Sequence, residues 1–150
     1  MLFTQARGRA VMDLATAETV GTVSACTVAP SPARIAGLRL NTKGRGHHAL
    51  DWNDVRSFGP DAVVVEEADR IRDEKAIGPD DAAHPAHDPI GKAVLTDTGL
   101  DKGTVTDVEF DELSGRISHL VTDEEQIPGD QLIGVGGYAV VVTAPQPASR

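Results

Sequence analysis

The stretch Ala49 to Val65, ALDWNDVRSFGPDAVVV, decides the fold because it returns near the other end as QIPGDQLIGVGGYAVVV, Gln126 to Val142. Each copy has an apolar lead-in (Leu50, Ile127), a short bend (Asp54 to Arg56, Gln131 to Ile133) and a Gly turn (Gly59, Gly136), then an identical Ala-Val-Val-Val. A run of β-branched residues after a tight turn reads as a strand. Two copies of the same closing strand therefore predict two small β units.

Working outward, the repeat extends backwards through most of the chain. GRAV (Gly8 to Val11) matches GKAV (Gly91 to Val94), and GTV (Gly21 to Val23) matches GTV (Gly103 to Val105). Arg34-Ile35 pairs with Arg116-Ile117, so that the copies keep one register through a strand, a turn and a second strand. The register then shortens at the quoted stretch, placing a longer loop in the first copy at NTKGRGHH, Asn41 to His48. Within GTVSACTV, Thr22, Ser24, Cys26 and Val28 have one parity and so are expected on one strand face. Cys26 aligns with Val108 and reads as a packed small hydrophobe. The turn between the strands is Pro-rich in the first copy (Pro30-Ser31-Pro32) and acidic, ending in Gly, in the second (Asp111 to Arg116). The boundaries expected are 1–68 and 88–144 for the units, 69–87 for a linker and 145–150 for a frayed Pro-containing tail. The linker begins charged and then becomes rich in Pro, Asp, Ala and His, which predicts a short helix from Glu66 to Arg70 and then an extended, mobile connection.

These residues resemble the PRC-barrel domain, the family of the photosynthetic reaction-centre H subunit and of the C-terminal domain of ribosome maturation factors. The resemblance rests on Gly-x-Val before an acidic strand, on Asp111 to Ile117 as a D-x-x-x-G-R-I turn, and on Leu50 to Val65 with its closing valines. It implies an all-β fold, two tandem small barrels joined by a charged, Pro-containing linker. It carries no catalytic residues over, and implies an adaptor that docks onto a larger assembly or onto itself. Neither the membrane anchor of the H subunit nor the other domain of the ribosome factors has a counterpart here, so neither specific function is implied.

Composition narrows the function classes. Aromatics are 3% of the 150 residues, so the cores must be built from Val, Leu, Ile and Ala. The formal charge of −9 opposes direct nucleic-acid binding, which draws its affinity from Lys and Arg on phosphates. No apolar run is long enough to span a membrane, and MLFTQARGRAV lacks the apolar centre of a signal peptide, so the expectation is a cytoplasmic chain without membrane insertion. A single cysteine excludes an internal disulfide.

Charge is unevenly divided. Residues 1–65 hold seven Lys or Arg against five Asp or Glu, whereas residues 91–150 hold four against ten. Opposite signs on two copies of one fold predict packing against each other, within a chain or between chains as a homo-oligomer.

Candidate sites follow from residue type and spacing. His84, His87 and Asp88 are the ligands a Zn or Ni ion would use, yet a closed site takes four, so solvated histidines and no cofactor are expected. Asp107, Glu109 and Asp111 alternate, which predicts one solvated acidic strand face open to Ca²⁺ or a basic partner. Trp52, Arg56 and Arg45 are where the first copy differs from the second (Trp52 against Gly129, Arg56 against Ile133), so they are candidates for interaction. Gly134 to Gly137 precede a strand rather than a helix, which marks a turn and not a phosphate loop. Three readings follow: an interaction adaptor, a metal- or small-ligand-responsive module, and a ribosome-associated factor reached through a basic protein.

Overall fold

A computed structural model describes residues 1–42 and 47–144. Arg45 and the tail 145–150 lie outside the described residues.

The first unit opens with the one-turn helix α1 (Phe3–Ala6), followed by β1 (Ala10–Asp13), β2 (Glu18–Ala29), β3 (Arg34–Thr42) and β4 (His47–Asp51). Strands β5 (Val55–Phe58), β6 (Ala62–Val65) and the two-residue β7 (Arg72–Asp73) complete it. The second unit has β8 (Ala93–Thr96), β9 (Asp101–Phe110), β10 (Ile117–Thr122) and β11 (Gln126–Pro128), then β12 (Leu132–Val135) and β13 (Ala139–Val142). The sheet orders are β5-β6-β1-β2-β3-β4-β7 and β11-β10-β9-β8-β13-β12, so apart from β7 they are one topology used twice.

The quoted stretch explains that topology. In each copy the Ala-Val-Val-Val strand runs parallel to the first strand of its unit, Ala62 to Val65 on Ala10 to Asp13 and Ala139 to Val142 on Ala93 to Thr96. A parallel pair needs a long crossover, and the intervening antiparallel strands supply it. The bend before it is a single 3-10 turn at Trp52–Asp54 and at Gly129–Gln131, two residues earlier than the sequence suggests. The Gly turns close alike, Gly59 N donating to Ala62 O and Gly136 N to Ala139 O, both at 3.0 Å. A cationic latch is also repeated. Arg9 Nη1 donates to Gly59 O at 2.7 Å and Lys92 Nζ to Gly136 O at 2.8 Å.

The parity expected of β2 is broken. Val23 and Cys26 are both buried, because the ladder to β3 slips between Val23 and Ala25 and a bulge turns the next residues over. The same slip in β9 buries Asp107 beside Val108.

The two units share one hydrophobic core, from Val11, Leu38 and Val63 in the first to Val94, Leu120 and Val140 in the second. They meet about a local two-fold. Ile35 N donates to Gly115 O at 2.7 Å while Ile117 N donates to Ala33 O at 3.0 Å, and Arg34 faces Arg116 across the axis as an antiparallel bridge. The leading segments are exchanged in the same sense. α1 packs against β9, and the 3-10 turn Pro85–His87 packs against β2. The expectation that unlike charges hold the halves together is corrected here. The seam is held by apolar packing, backbone hydrogen bonds and the bonds from Thr4 to Asp107, and among the described residues the one ion pair joining 1–65 to 91–144 is the Met1 amino group with Glu112, at 3.9 Å.

The linker is folded onto the first unit rather than extended. β7 pairs with β4, Arg39 binds Glu74 through two hydrogen bonds, and Ile77 and Ala83 are buried with Ala49. Its opening helix is only a 3-10 turn, Ala68–Arg70, in which Arg70 reaches Glu67 at 3.7 Å. Glu66 instead pairs with Arg56.

Candidate interaction site

Trp52 stands at the seam. The 3-10 turn after β4 lifts its indole off the first unit's sheet, stacked on Phe58 at 5.7 Å and edge-on to Phe110 of the second unit at 6.3 Å. It also lies on Gly115 so closely that a Cβ there would come within 2.7 Å of the ring. Gly115 has φ +77, so both its backbone conformation and its neighbour select glycine. Trp52 thus anchors the interface between the two units.

Around the two-fold lie two clefts built from equivalent residues. The first, of about 280 Å³, is walled by Arg34, Ile35, Trp52 and Ser114 and by linker residues Asp81, Ala82 and Ala83. Its mate, of about 380 Å³, is walled by Arg116, Ile117, Ser118, Pro32, Pro128 and Asp130. Where Trp52 walls the first, Gly129 stands in the second, and a Cβ on Gly129 would lie 2.1 Å from Ile117 O. The backbone is drawn against β10 there, so that position takes no side chain. The Trp52 and Gly129 difference is visible in the sequence; that it leaves one cleft narrowed by an indole and its mate wider needs the two-fold.

The remaining candidates separate. Arg56 lies on the outer strand β5 and pairs with exposed Glu66 at 2.7 Å. Asp107, Glu109 and Asp111 do not form a solvated row, which corrects the alternation argument. Asp107 is buried, accepting from the backbone and hydroxyl of Thr4 in α1 and from Val108 N. Glu109 faces Ser118 and His119. Asp111 sits beyond the end of β9 and organises the turn by accepting from Leu113 N and Ser114 N.

His84 and His87 are half-buried and bonded, not solvated. His84 Nδ1 accepts from Ala86 N at 3.0 Å, and the two nitrogens of His87 lie 3.0 Å from Val135 O and from Pro79 O. Asp88 accepts from Ile90 N. These atoms do not converge on a common point, and among the described residues no group of three or more His, Cys, Asp or Glu is arranged to hold a metal.

Electrostatics follow burial. Burial pushes the Asp88 carboxyl up, opposed by the Ile90 N–H and Lys92, and the Lys92 ammonium is pushed down by the same desolvation, opposed by Asp88. Burial also raises the Cys26 thiol well above its ordinary range, which leaves it protonated and unreactive at neutral pH. The hydrogen bond from Arg72 holds Asp81 below the usual carboxylate range, helped by Ala83 N.

Among the described residues, sequence reading passed over the two most exposed large apolar side chains, Leu113 at 93% exposed in the Asp111 turn and Tyr138 at 97% at the tip of the β12–β13 hairpin. Each occupies a turn whose composition reads only as polar or Gly-rich, which is why no hydrophobic pattern marks it.

A duplicated, all-β chain of this strand order is a small tandem-barrel protein. The family model of the PRC-barrel domain matches residues 82–144, which take in the whole second unit, and the first unit repeats that unit's strand order and parallel closure. The match begins at Ala82, inside the segment expected to be linker, and takes in the turn that packs across the seam. No curated protein matches the sequence. Among the described residues no helix is long and apolar enough to cross a membrane.

Proposed function

We propose that this chain is a non-enzymatic tandem PRC-barrel protein that acts as a protein-interaction adaptor. The observation that carries the reading is the asymmetry of the seam: one cleft is walled by Trp52 and by linker residues, and its larger equivalent has Gly129 in place of the indole and no linker residue in its wall. The acids and histidines that suggested chemistry support it too, since Asp107, His84 and His87 are engaged in bonds that hold segments together. The apolar side chains of Leu113 and Tyr138 offer further contact area at exposed turns.

Crosslinking in cells followed by capture of the chain tests this. The expected outcome is a reproducible protein partner whose crosslinks fall on residues 111–118 or 128–138. A chain that stays monomeric across concentrations and yields no reproducible crosslink contradicts the adaptor reading.

A further inference from the structure

We propose that the open cleft beside Gly129 receives an aromatic side chain carried by an acidic segment of a partner protein. The inference rests on the adaptor reading above and names its site.

Three observations carry it. First, an indole forms one wall of the equivalent cleft, laid on the turn of the opposite unit, Trp52 on Gly115, and at the matching place in the wider cleft no side chain stands. The open cleft has the corresponding apolar surfaces, Ile117 and Leu132 with Pro32 and Pro128, and Ala33 stands where Gly115 does. Its width is built in, because the backbone at Gly129 has no room for a side chain. Second, the linker residues Asp81 to Ala83 that wall the first cleft have no equivalent among the described residues lining the second. Third, one side of the rim is cationic, Arg116, opposite Asp130. Arg116 lines the cleft and Arg34 adjoins it across the two-fold, and among the described residues neither has a carboxylate partner. Arg34 donates only to the carbonyls of Pro30 and Pro32. A guanidinium beside an aromatic-sized cleft selects a carboxylate next to the ring, and Asp130 on the opposite rim supplies an acceptor for an indole N–H.

The probe is N-acetyl-tryptophan, with its carboxylate free, compared with the neutral N-acetyl-tryptophanamide, each titrated into the full ¹⁵N-labelled chain. Saturable amide shifts are expected at residues 116–118 and 129–132, with the anionic probe binding about three- to tenfold more tightly for one exposed charge-assisted contact. Arg116→Ala should abolish that preference and Arg116→Lys should restore most of it; Arg116 is exposed, so the dispersion of the spectrum verifies that both variants fold. Shifts absent from the cleft, or equal binding of the two probes, overturn the proposal. So do concentration-dependent shifts in the free protein that Tyr138→Ala removes, which would assign the cleft to a second copy. If the probes fail while crosslinking still captures a partner elsewhere, the cleft is refuted and the adaptor reading stands.

Discussion

Trp52 and Gly129 occupy equivalent places in two copies of one fold, and they solve the same packing problem in opposite ways. In the first unit the bend stands off the sheet and sends an indole across the seam onto Phe110 and Gly115. In the second it collapses onto Ile117 O. The two halves share strand order and core, while the bend after the fourth strand is a structural anchor on one side and the bare wall of a wider cleft on the other. The same division appears in the linker, which helps wall the first unit's cleft and pairs with its edge strand β4, whereas the equivalent edge β11 carries no such strand among the described residues.

The largest effect should come from removing the anchor. Trp52→Ala deletes a half-buried indole between two phenylalanines, and a loss of about 2–4 kcal/mol is expected, read from the urea midpoint. A change under ~1 kcal/mol would mean that the seam does not depend on the indole. Next, Gly129→Ala forces a methyl against a backbone oxygen and should cost about 1–3 kcal/mol, whereas Gly134→Ala, which meets no atom within 4 Å, should stay within ~0.5 kcal/mol. Equal effects at the two glycines would remove the argument that Gly129 is sterically required.

A smaller effect belongs to the linker. Arg72 binds Asp51 and Asp81 together, and Arg72→Ala should cost ~1 kcal/mol or less because the pairs are about one-third exposed. Its clearer sign is faster hydrogen exchange at Ile77 N, which donates to Glu74 O within the linker. Asp81 has its carboxyl lowered from 3.8 in the folded chain, so its contribution is present above that pH and is lost as pH falls through the lowered value. Unchanged Ile77 protection in the variant would show that the apolar contacts with Ala49 hold the linker alone.

The smallest effect concerns Asp88, whose carboxyl is raised in the folded chain by burial, so that stability from this group is greatest in acid and is lost as pH rises through the raised value. Asp88→Asn keeps an oxygen for Ile90 N and should match or slightly exceed the native chain at pH 7. That advantage should shrink in parallel denaturation series as pH falls toward 3.8. A variant less stable at pH 7 would assign greater weight to the attraction between Asp88 and Lys92.

Much of this fold is legible in the sequence because the repeated residues are those that fix it. The Ala-Val-Val-Val strands, the Gly turns and the paired Arg-Ile dipeptides all lie at equivalent places, and the last of these mark the two-fold itself. What could not be read there is set by long-range contacts. The bulges that bury Asp107 and shift the parity of β2 depend on pairing with neighbouring strands, and no local pattern encodes them. The linker is polar by composition, yet β7, Arg39–Glu74 and Arg72 fasten it down. The candidate site was half visible: Trp52 against Gly129 stands out once the copies are aligned, while Arg116 and Pro128 join it only through the fold.

Urea unfolding followed simultaneously by the fluorescence of Trp52 and by far-UV circular dichroism tests most directly that the two copies form one body about a shared core. Trp52 is the sole Trp and reports on the seam, while the dichroism reports on both sheets. The shared core predicts coincident single transitions. A fluorescence change completed at lower urea, with strand signal persisting beyond it, would contradict it by showing that the units part before either unfolds.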